Sequence, residues 1–355
     1  MKITIEKALI ENILIHSQPF LEKKDTSQIT SHLFLSAIDN ELTIKATDHE
    51  IGLLIKTPEA NIEEVGTFTA NGKKLLDIIR ILKTGNITLY TQSNILHIEQ
   101  GHSNFKLPMF KSSEFPDFPK LENLSSIEIN SQILVESLKK ITSAADTNNP
   151  KYELNGALLD IKSDSINFVA TDTRRLALVT IENNSTQELS LIIPKKAIVE
   201  IQKLFFDNIE IIYDNTYLII KSNQYTFFTK LINGKYPDYT RIIPKEIKHK
   251  LLLPKSEMTD AIKQITTISN DMKITFHNNT ITFESLSDDN IEAKTDISFN
   301  TPFTEPFSIA VNSRYILDFI AQNSQQEFTI GLNQTNLPFI LEGELFKTIV
   351  MPIVI

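Results

Sequence analysis

Hydrophobic and polar residues repeat one arrangement three times along the chain, at intervals of 124 residues. A run with apolar residues every three to four positions, typical of an amphipathic helix, opens the copies at Lys7, Ser131 and Lys255. Alternating apolar and polar residues follow, as in segment 42–47, and predict paired β-strands. A second helix-like run and further alternating segments complete each copy.

The order of these elements predicts three similar domains of the α+β class. The second helix-like runs lie at 71–83, 194–205 and 312–323. Because short turn signals separate the strands, we expect largely antiparallel sheets with helices on one face. A period of 124 residues is far longer than a solenoid repeat, so each copy is a domain. Polar connecting segments place the domains at 1–121, 122–246 and 247–355.

Length and composition are those of an ordinary globular protein. The 355 residues suit two or three domains, and 41% hydrophobic with 22% charged residues is enough for a core. No apolar run is long enough to span a membrane, and the first residues lack a signal-peptide pattern. The absence of Cys excludes disulfides and thiolate metal sites. We therefore expect a cytoplasmic protein with no membrane partner.

Charge is distributed unevenly between the helix-like runs and the rest of the chain. The net charge is −9, which by itself argues against nucleic-acid binding. The six helix-like runs nevertheless hold 13 basic and 7 acidic residues, while the remainder holds 22 and 37. For a single helix, a solvated face with i,i+4 ion pairs is the simpler interpretation. For all six helices in repeated positions, we favour one shared basic surface.

Motifs for catalysis, cofactors and metals are missing or weak. No Gly-x-Ser-x-Gly elbow occurs. Segment 66–74 resembles a phosphate-binding loop, but its glycine spacing is one residue too long and Lys74 stands where Ser or Thr would hold magnesium. His97, Glu99 and His102 lie close in sequence, yet only the first two share a strand face. We expect no catalytic residue, no cofactor and no metal site.

An aspartate recurs at the same position in each copy, as Asp48, Asp172 and Asp288. Such residues can be catalytic acids, but Asp side chains also accept hydrogen bonds from backbone N–H groups where a strand enters a turn. A residue repeated in every domain is more simply explained by the architecture of the repeat. We therefore expect these aspartates to close turns.

Four segments carry a resemblance to a known family. They are LNGALLDI at 154–161, ATDTRRLAL at 170–178, GKYPDYTRIIP at 234–244 and TIVMPIVI at 348–355. Together with the threefold repeat and the basic second helix of the first copy, their order and spacing resemble the bacterial DNA sliding clamp, the beta subunit of DNA polymerase III. The resemblance spans the whole chain. It implies a non-enzymatic, head-to-tail homodimer that forms a ring of six similar domains, with sheets outside and helices lining the hole.

Double-stranded DNA is the first partner that the resemblance implies. Basic helices that face a duplex contact phosphates and not bases, so binding would be independent of sequence and would permit sliding. The helical candidates are Lys73, Lys74, Arg80, Lys139, Lys140, Lys195, Lys196 and Lys203. Position in the family adds the loop residues Lys23, Lys24, Asn148 and Lys151.

The second implied partner is a short linear peptide motif, bound in a cleft between the second and third domains. In the family, such motifs belong to the DNA polymerase III alpha subunit, the clamp loader and repair proteins. The matching positions are Leu154, Thr171, Thr173, Arg174, Arg175, Leu176, Pro237, Arg241, Ile242, Tyr315, Pro338, Ile349, Met351, Pro352 and Ile353.

The side chains at these positions suit peptide binding. Leu176, Ile242 and Met351 can form an apolar pocket, and methionine adapts to varied partners. Arg175 and Arg241 can bond peptide carbonyls or carboxylates at the rim. Without the resemblance, these segments would be interpreted as a hairpin and a last core strand.

The chain departs from the family at two places on the cleft rim. Thr173–Arg174 replaces a glycine followed by an aromatic residue, His or Ser. Val354–Ile355 replaces a basic or polar end. Both changes are expected to alter motif preference and affinity without removing the cleft.

Apolar residues of the first and third copies match the family's dimer contact. They are Phe105, Leu107 and Ile268. Ordinary core packing is an equally good interpretation of these three residues.

Two other classes of protein remain open. A three-domain, β-rich scaffold or ligand-binding protein that does not act on DNA would account for the repeat, but not for the basic helices. An enzyme is the third possibility, and the sequence offers no catalytic residues for it.

Overall fold

The structure, a computed structural model, describes residues 1–25, 27–122, 124–183, 187–206, 208–287 and 291–354. Its contacts separate two compact units. One unit consists of Met1–Gln132 and Lys203–Leu231, and the other of Ile133–Gln202 and Ile232–Ile355. The middle repeat is thus shared between the units, and the predicted limits 1–121, 122–246 and 247–355 stay predictions.

The first repeat begins with a strand and contains both predicted helices. They are α1 (Lys7–Ser17) and α2 (Gly72–Ile81). The strands are β1 (Lys2–Glu6), β2 (His32–Ile38), β3 (Glu41–Thr47), β4 (Ile51–Thr57), β5 (Asn61–Glu64), β6 (Gly66–Asn71), β7 (Asn86–Gln92), β8 (Ile95–Gln100) and β9 (Ser103–Pro108). The Asn71 side chain accepts a hydrogen bond from Lys74 N at 3.0 Å and so caps the start of α2.

The middle repeat follows the same order. Its helices are α3 (Ser131–Ile141) and α4 (Lys195–Leu204). Its strands are β10 (Ser125–Ile127), β11 (Gly156–Ile161), β12 (Ser165–Thr171), β13 (Arg175–Glu182), β14 (Leu189–Pro194), β15 (Glu210–Tyr213), β16 (Tyr217–Lys221) and β17 (Tyr225–Lys230).

The last repeat contains α5 (Lys255–Thr266) and α6 (Ser313–Gln322). Its strands are β18 (His249–Pro254), β19 (Asp271–His277), β20 (Thr280–Ser285), β21 (Lys294–Ser298), β22 (Phe307–Asn312), β23 (Glu327–Leu332), β24 (Phe339–Glu342) and β25 (Phe346–Val350). The Asn312 side chain caps α6 by accepting from Arg314 N at 3.1 Å. Across the described residues, no helix is both long and apolar enough to cross a membrane.

The strands of each unit form antiparallel sheets. In the first unit, a five-stranded sheet has the order β5-β1-β7-β8-β9, and an eight-stranded sheet has the order β10-β15-β16-β17-β4-β3-β2-β6. In the second unit, an eight-stranded sheet has the order β14-β11-β12-β13-β25-β24-β23-β18, and a four-stranded sheet has the order β21-β20-β19-β22. Each eight-stranded sheet joins strands of two repeats, through β17 and β4 in one and through β13 and β25 in the other.

Alternation along the strands determines which side chains enter the core. In β3, Leu42, Ile44 and Ala46 are fully buried, whereas Thr43 and Lys45 between them are partly exposed. The helices cover the apolar faces in pairs, with α1 against α2 in the first unit and α5 against α6 in the second. The predicted α+β class with antiparallel sheets is confirmed.

The recurring aspartates close turns, as predicted. Asp48 Oδ1 accepts hydrogen bonds from the backbone N–H groups two and three residues later, both at 3.0 Å. Asp172 Oδ1 makes the equivalent bonds at 3.0 and 2.9 Å. Asp288 lies outside the described residues. The two described aspartates therefore have an architectural role in the repeat.

Candidate functional site

A buried apolar floor connects predicted cleft residues that are far apart in sequence. Every predicted cleft residue lies in the second unit. There, Leu176 of β13 lies opposite Ile349 of β25. Leu154, from the turn before β11, joins them in one cluster, and each of the three side chains is only 1% exposed. The pairing of β13 with β25 thus brings the second and third repeats together at this floor.

The chain leaves β25 at Val350 and continues as a partly exposed tail. Met351 N donates a hydrogen bond to Arg174 O at 2.8 Å, which holds the tail beside the turn after β12. Met351 is 39% exposed, and Pro352 and Ile353 are half-buried. The interpretation as a last core strand therefore applies only as far as Val350.

Segment 234–244 is anchored by a tyrosine and presents an exposed arginine. Tyr239 belongs to the buried cluster, and its hydroxyl donates to Asp160 Oδ2 at 2.8 Å. Burial and this carboxylate raise the pKa of Tyr239, so the phenol stays protonated. The Arg241 side chain is 84% exposed and lies 2.8 Å from Asp238 Oδ2. The Arg241 guanidinium is therefore accessible to solvent, and its place at the cleft rim stays a prediction.

Three further predicted cleft residues are at least partly exposed. Ile242 is 38% exposed, and Pro237 is half-buried. Pro338 directly precedes Phe339, which lies opposite Val350 in the pairing of β24 with β25. Pro338 is therefore placed where the tail leaves the sheet.

Arg175 is almost fully buried and connects elements of the second and third repeats. Its Nη1 donates to Asp318 Oδ2 at 2.6 Å, its Nε to Asp172 Oδ2 at 3.1 Å, and its Nη2 to Ser143 O. The guanidinium carbon lies 4.7 Å from the centroid of the Tyr315 ring, within the range of a cation–π contact. Only 9% of Arg175 is exposed. Three of the five guanidinium N–H groups are therefore engaged internally, and the role of Arg175 toward a peptide stays a prediction.

Asp318 was missed by reasoning from the sequence. It lies on α6, 143 residues after the arginine that it pairs with. The sequence held one signal for Asp318, because it lies one helical turn after the predicted cleft residue Tyr315, and the two side chains share a face of the helix. Burial raises the pKa of Tyr315, which lies on the same side of the network. The network of Arg175, Asp172 and Asp318 connects the second repeat to the third beside the cleft floor.

The turn between β12 and β13 combines a buried hydroxyl with a strained backbone. Thr171 Oγ1 donates to Arg175 O at 2.6 Å and accepts from Thr173 N at 3.1 Å. Thr173 has a φ of 74°, and His49 has the same φ at the equivalent position of the first repeat. A β-branched residue is disfavoured in this left-handed region, where glycine is usual. Thr173, which stands where the resemblance implies a glycine, is therefore a position of backbone strain.

We expect Thr173→Gly to raise the free energy of unfolding by roughly 0.5–1 kcal/mol, because glycine accepts a positive φ without the strain of a β-branched side chain. Arg174→Gly is the matched control, since Arg174 is not among the described residues with a positive φ. The control should lower the free energy of unfolding by about 0.5–1 kcal/mol. Urea unfolding measures both variants, and equal destabilisation by both would show that Thr173 is not strained.

The other rim departure, at the end of the chain, is exposed as far as it is described. Val354 is 83% exposed. Ile355 lies outside the described residues. Val354 therefore adds exposed apolar surface where the resemblance implies a basic or polar end.

The predicted basic residues of the first unit are exposed to solvent. They are Lys23, Lys24, Lys73, Lys74, Arg80 and Lys203. The first two follow α1, the next three lie on α2, and the last ends α4. Arg80 Nε lies 3.8 Å from Glu11 Oε1, a long and half-exposed pair that contributes little stability. These cations are accessible to an anionic partner.

The predicted polar and basic residues of the second unit differ from one another in exposure. Lys139, Lys196, Asn148 and Lys151 are exposed, and Lys140 is half-buried.

Lys195 has a structural role. Its Nζ donates to Ala145 O at 2.7 Å. Burial, followed by the positive charge of Arg175, lowers the pKa of Lys195. One of its three N–H groups therefore already binds a backbone carbonyl, and the contact of Lys195 with DNA stays a prediction.

The weak alternatives for cofactor and metal binding have structural explanations. A Cβ atom on Gly72 would lie 2.3 Å from Leu21 Cδ1, so the glycine of the loop-like segment permits close packing. His97 is buried, and its ring stacks on Tyr90 with the centroids 4.7 Å apart. Among the described residues, no group of three or more His, Asp or Glu side chains is arranged to hold a metal ion.

The three predicted dimer residues fall into two groups. Leu107, on β9, is 6% exposed and belongs to the core, in agreement with the alternative interpretation. Phe105, two residues earlier on the same face of β9, is half-buried. Ile268, directly after α5, is 39% exposed. Phe105 and Ile268 are the two that remain accessible to a second chain.

Family comparison covers the chain in three consecutive parts. The N-terminal domain of the DNA polymerase III beta subunit matches residues 1–119. The central domain of the same subunit matches residues 128–238, and the C-terminal domain matches residues 240–353.

Curated relatives match over almost the whole chain. The beta sliding clamp of Helicobacter pylori strain ATCC 700392 / 26695 is 39% identical over 374 residues, which cover 99% of this chain and 100% of the relative. The beta sliding clamp of Vibrio cholerae is 25% identical over 367 residues, with 99% and 100% coverage.

Solved structures have the same fold. The Helicobacter pylori beta clamp bound to a DNA ligase peptide matches with a TM-score of 0.92 at 38% identity, over all of both chains. The Helicobacter pylori beta clamp in complex with diflunisal matches with a TM-score of 0.93 at 37% identity, again over all of both chains.

Proposed function

The chain belongs to the family of the bacterial DNA polymerase III beta subunit, the DNA sliding clamps, and we propose that it closes as a two-chain ring around duplex DNA and tethers DNA polymerase III there. The observation that carries this proposal is the repeated pairing of strands between repeats. The threefold repeat provides three positions for such a pairing, and one chain fills only two of them.

The two internal junctions are equivalent. Tyr225 of β17 lies opposite Ile55 of β4, and Phe346 of β25 lies opposite Val179 of β13. The corresponding strand of the first repeat is β9, and that of the third repeat is β21. Both are edge strands of their sheets. A sheet edge without a neighbouring strand can pair with a strand of another chain. By analogy with the two internal junctions, the partner of β9 is β21.

Two copies can satisfy both edges at once. β9 of one copy pairs with β21 of the second, and the reverse contact closes the ring, as a head-to-tail interface does when its rotation permits. By its place in the β8–β9 hairpin, Ser103 corresponds to Tyr225 and Phe346. By its place in the β20–β21 hairpin, Thr295 corresponds to Ile55 and Val179. The proposed register therefore sets Ser103 opposite Thr295 of the other copy.

DNA binding follows from the exposed cations on the helices. A helix of ten residues such as α2 is about 15 Å long, enough to pass several phosphates of a duplex. Contacts to phosphate carry no sequence information, so the ring would slide. The acidic remainder of the chain disfavours DNA elsewhere on the surface.

The cleft provides the second function, the binding of partner peptides. A Helicobacter pylori relative is described with a DNA ligase peptide bound. In this chain, the buried floor of Leu176 and Ile349, together with the exposed Met351 and Ile242, suits an apolar peptide end, and Arg241 suits its polar groups. We propose that the alpha subunit of DNA polymerase III, the clamp loader and repair proteins bind here through short linear motifs.

The proposed role requires no catalysis by this chain. Retention comes from topology, and attachment comes from the cleft. We therefore propose a processivity factor without enzymatic activity, cofactor or metal, acting in the cytoplasm where DNA replication takes place.

Met351→Ala tests the cleft. A peptide with Gln near one end and Leu and Phe at the other is expected to bind the wild-type chain, and the variant should bind it about 1–3 kcal/mol more weakly, because truncation removes apolar contact in the pocket. Leu345→Ala is the matched control, since Leu345 is an exposed apolar residue, 51% accessible, in the turn between β24 and β25. Calorimetric titration compares the two, and equal affinities of wild type and Met351→Ala would refute the assignment.

A further inference from the structure

Two lysines hold equivalent positions in the first and third repeats. Lys7, the first residue of α1, donates from Nζ to Leu82 O at 2.7 Å and to Arg80 O at 3.1 Å. Lys255, the first residue of α5, donates from Nζ to Asn323 O at 2.5 Å. In each repeat, the ammonium therefore binds carbonyl groups at the C-terminal end of the second helix. Such carbonyls lack partners within the helix and carry partial negative charge.

The middle repeat has no lysine at this position. Ser131 begins α3, 124 residues after Lys7 and 124 before Lys255. Counting from the first residue of each second helix, Phe205 holds the position of Leu82 and Asn323. The serine side chain is too short and carries no charge to replace the ammonium.

A groove with a volume of about 830 Å³ opens where the missing ammonium would lie. We call it the middle-repeat groove, and Ser131, Phe205, Phe206, Asn208 and Tyr225 are among its lining residues. The whole groove belongs to the first unit.

A backbone hydrogen bond also differs between the repeats. Lys7 N donates to Gly85 O at 3.0 Å, and Lys255 N donates to Gln326 O at 2.8 Å. Asn208 holds the position of Gly85 and Gln326 in the middle repeat, and the described residues contain no bond from Ser131 N to Asn208 O. Among the described residues, this backbone bond is therefore found in the first and third repeats and not in the second.

The lining of the middle-repeat groove suits a cation. None of its described lining residues is charged, so an anion finds no partner of opposite sign. Phe206 is 72% exposed, and the Tyr225 ring also lines the groove. Aromatic faces and helix-terminal carbonyls are both attractive to an ammonium group. The apolar rings additionally favour an alkyl chain next to that group.

We propose that the middle-repeat groove binds a primary alkylammonium group, which takes the place that the Lys7 and Lys255 ammonium groups hold in the other repeats. The chemistry is shared by a lysine side chain of a partner protein and by a small free amine. This proposal does not depend on DNA encirclement or on the peptide cleft.

The test is a titration of the full-length chain with n-butylammonium chloride, followed by ligand-observed NMR at constant ionic strength. Butanol is the neutral control ligand. The wild-type chain should bind butylammonium, and Ser131→Lys should weaken that binding about tenfold or more, because the new lysine fills the groove as Lys7 and Lys255 do. Ser131→Ala is the matched control and should bind like wild type.

A lysine-containing peptide with apolar neighbours separates the two sources. Tighter binding of this peptide than of butylammonium supports a partner lysine, whereas equal affinity supports a free amine. Either result is consistent with the ammonium site.

Two results would overturn the proposal. One is equal binding of butylammonium and butanol by wild type, and the other is undiminished butylammonium binding by Ser131→Lys. If Ser131→Lys does not fold, Lys255→Ser provides the reverse test, because it should create a second butylammonium site, and failure to do so counts against the proposal. DNA retention and cleft-peptide binding should be unchanged in Ser131→Lys, so failure of this proposal is distinguishable from failure of the clamp function.

Discussion

Arg175→Ala is expected to lower the free energy of unfolding of the chain by about 3 kcal/mol, because removal of one member of a buried ion pair leaves its partner charges uncompensated. Asp172 and Asp318 would both lose the guanidinium that they accept from, and Ser143 O would lose its donor. The Tyr315 ring would lose its cation–π contact.

The matched control is the neighbouring Arg174→Ala. Arg174 is exposed, and surface substitutions usually change stability by less than about 0.5 kcal/mol. Urea unfolding of the two variants at neutral pH gives the comparison. If both alanine variants are equally stable, the Arg175 network does not hold the second and third repeats together.

Reversing the charge of four helical lysines is expected to weaken duplex binding by about 100-fold or more at moderate salt. Each lysine that contacts a phosphate contributes to the affinity and to its steep salt dependence. The changes are Lys73→Glu, Lys74→Glu, Lys139→Glu and Lys196→Glu. Lys195 is left unchanged, because its ammonium binds Ala145 O and its loss would disturb the fold. Fluorescence anisotropy with a labelled duplex, over a series of salt concentrations, measures the effect, and circular dichroism checks the fold.

An equal charge change on the sheets is the control. Its changes are Lys56→Glu, Lys162→Glu, Lys250→Glu and Lys347→Glu, at lysines that are 46–59% exposed. Because the net charge changes by the same amount, this variant should bind the duplex within about threefold of wild type if the helices carry the contact. Equal loss in both variants would show that net charge, and not the helical surface, controls DNA binding.

Local signals in the sequence predicted the elements of the fold well. The starts of α1, α3 and α5 at Lys7, Ser131 and Lys255 follow directly from the 124-residue period. The turns at Asp48 and Asp172 were predicted from the preference of aspartate for backbone N–H groups. Each of these features depends on residues that are close in sequence, where pattern and propensity are informative.

Long-range partners were not predictable in the same way. The sequence gives the charge of Arg175 but not the presence of Asp318, which is 143 residues away. The sequence likewise gives no sign of the bond from Lys195 to the Ala145 carbonyl, which lies 50 residues earlier and has no side-chain signal. Both contacts were beyond the sequence for one reason, since a basic residue looks the same in sequence whether it faces solvent or an internal partner.

The division of the middle repeat was also beyond the sequence. Polar connecting segments predicted three domains, whereas strand pairing places β15, β16 and β17 with the first repeat and β11, β12 and β13 with the third. Sheet edges that join across repeats produce this division. The same pairing rule leaves one edge of β9 and one edge of β21 for the proposed contact between two chains.

An engineered disulfide between these edges allows a direct test of encirclement. The chain contains no Cys, so Ser103→Cys with Thr295→Cys introduces the only thiols. At the internal junctions, the pairs equivalent to Ser103 and Thr295 are Tyr225 with Ile55 and Phe346 with Val179. One position along from these pairs, Lys56 N donates to Gln224 O, and Thr180 N donates to Leu345 O. Those equivalent pairs are therefore non-hydrogen-bonded, with Cα atoms about 4.5 Å apart, a separation that a disulfide can bridge.

The measurement is retention of the oxidised double-cysteine protein on nicked circular DNA after washing in high salt and denaturant. The reduced protein is first assembled on the DNA and then oxidised, so that both interfaces are covalently closed. We expect the oxidised protein to remain on circular DNA and to leave when a restriction enzyme linearises it, because only topology resists these washes. Release from intact circles, or retention on linear DNA, would contradict the conclusion that this chain forms a ring around the duplex.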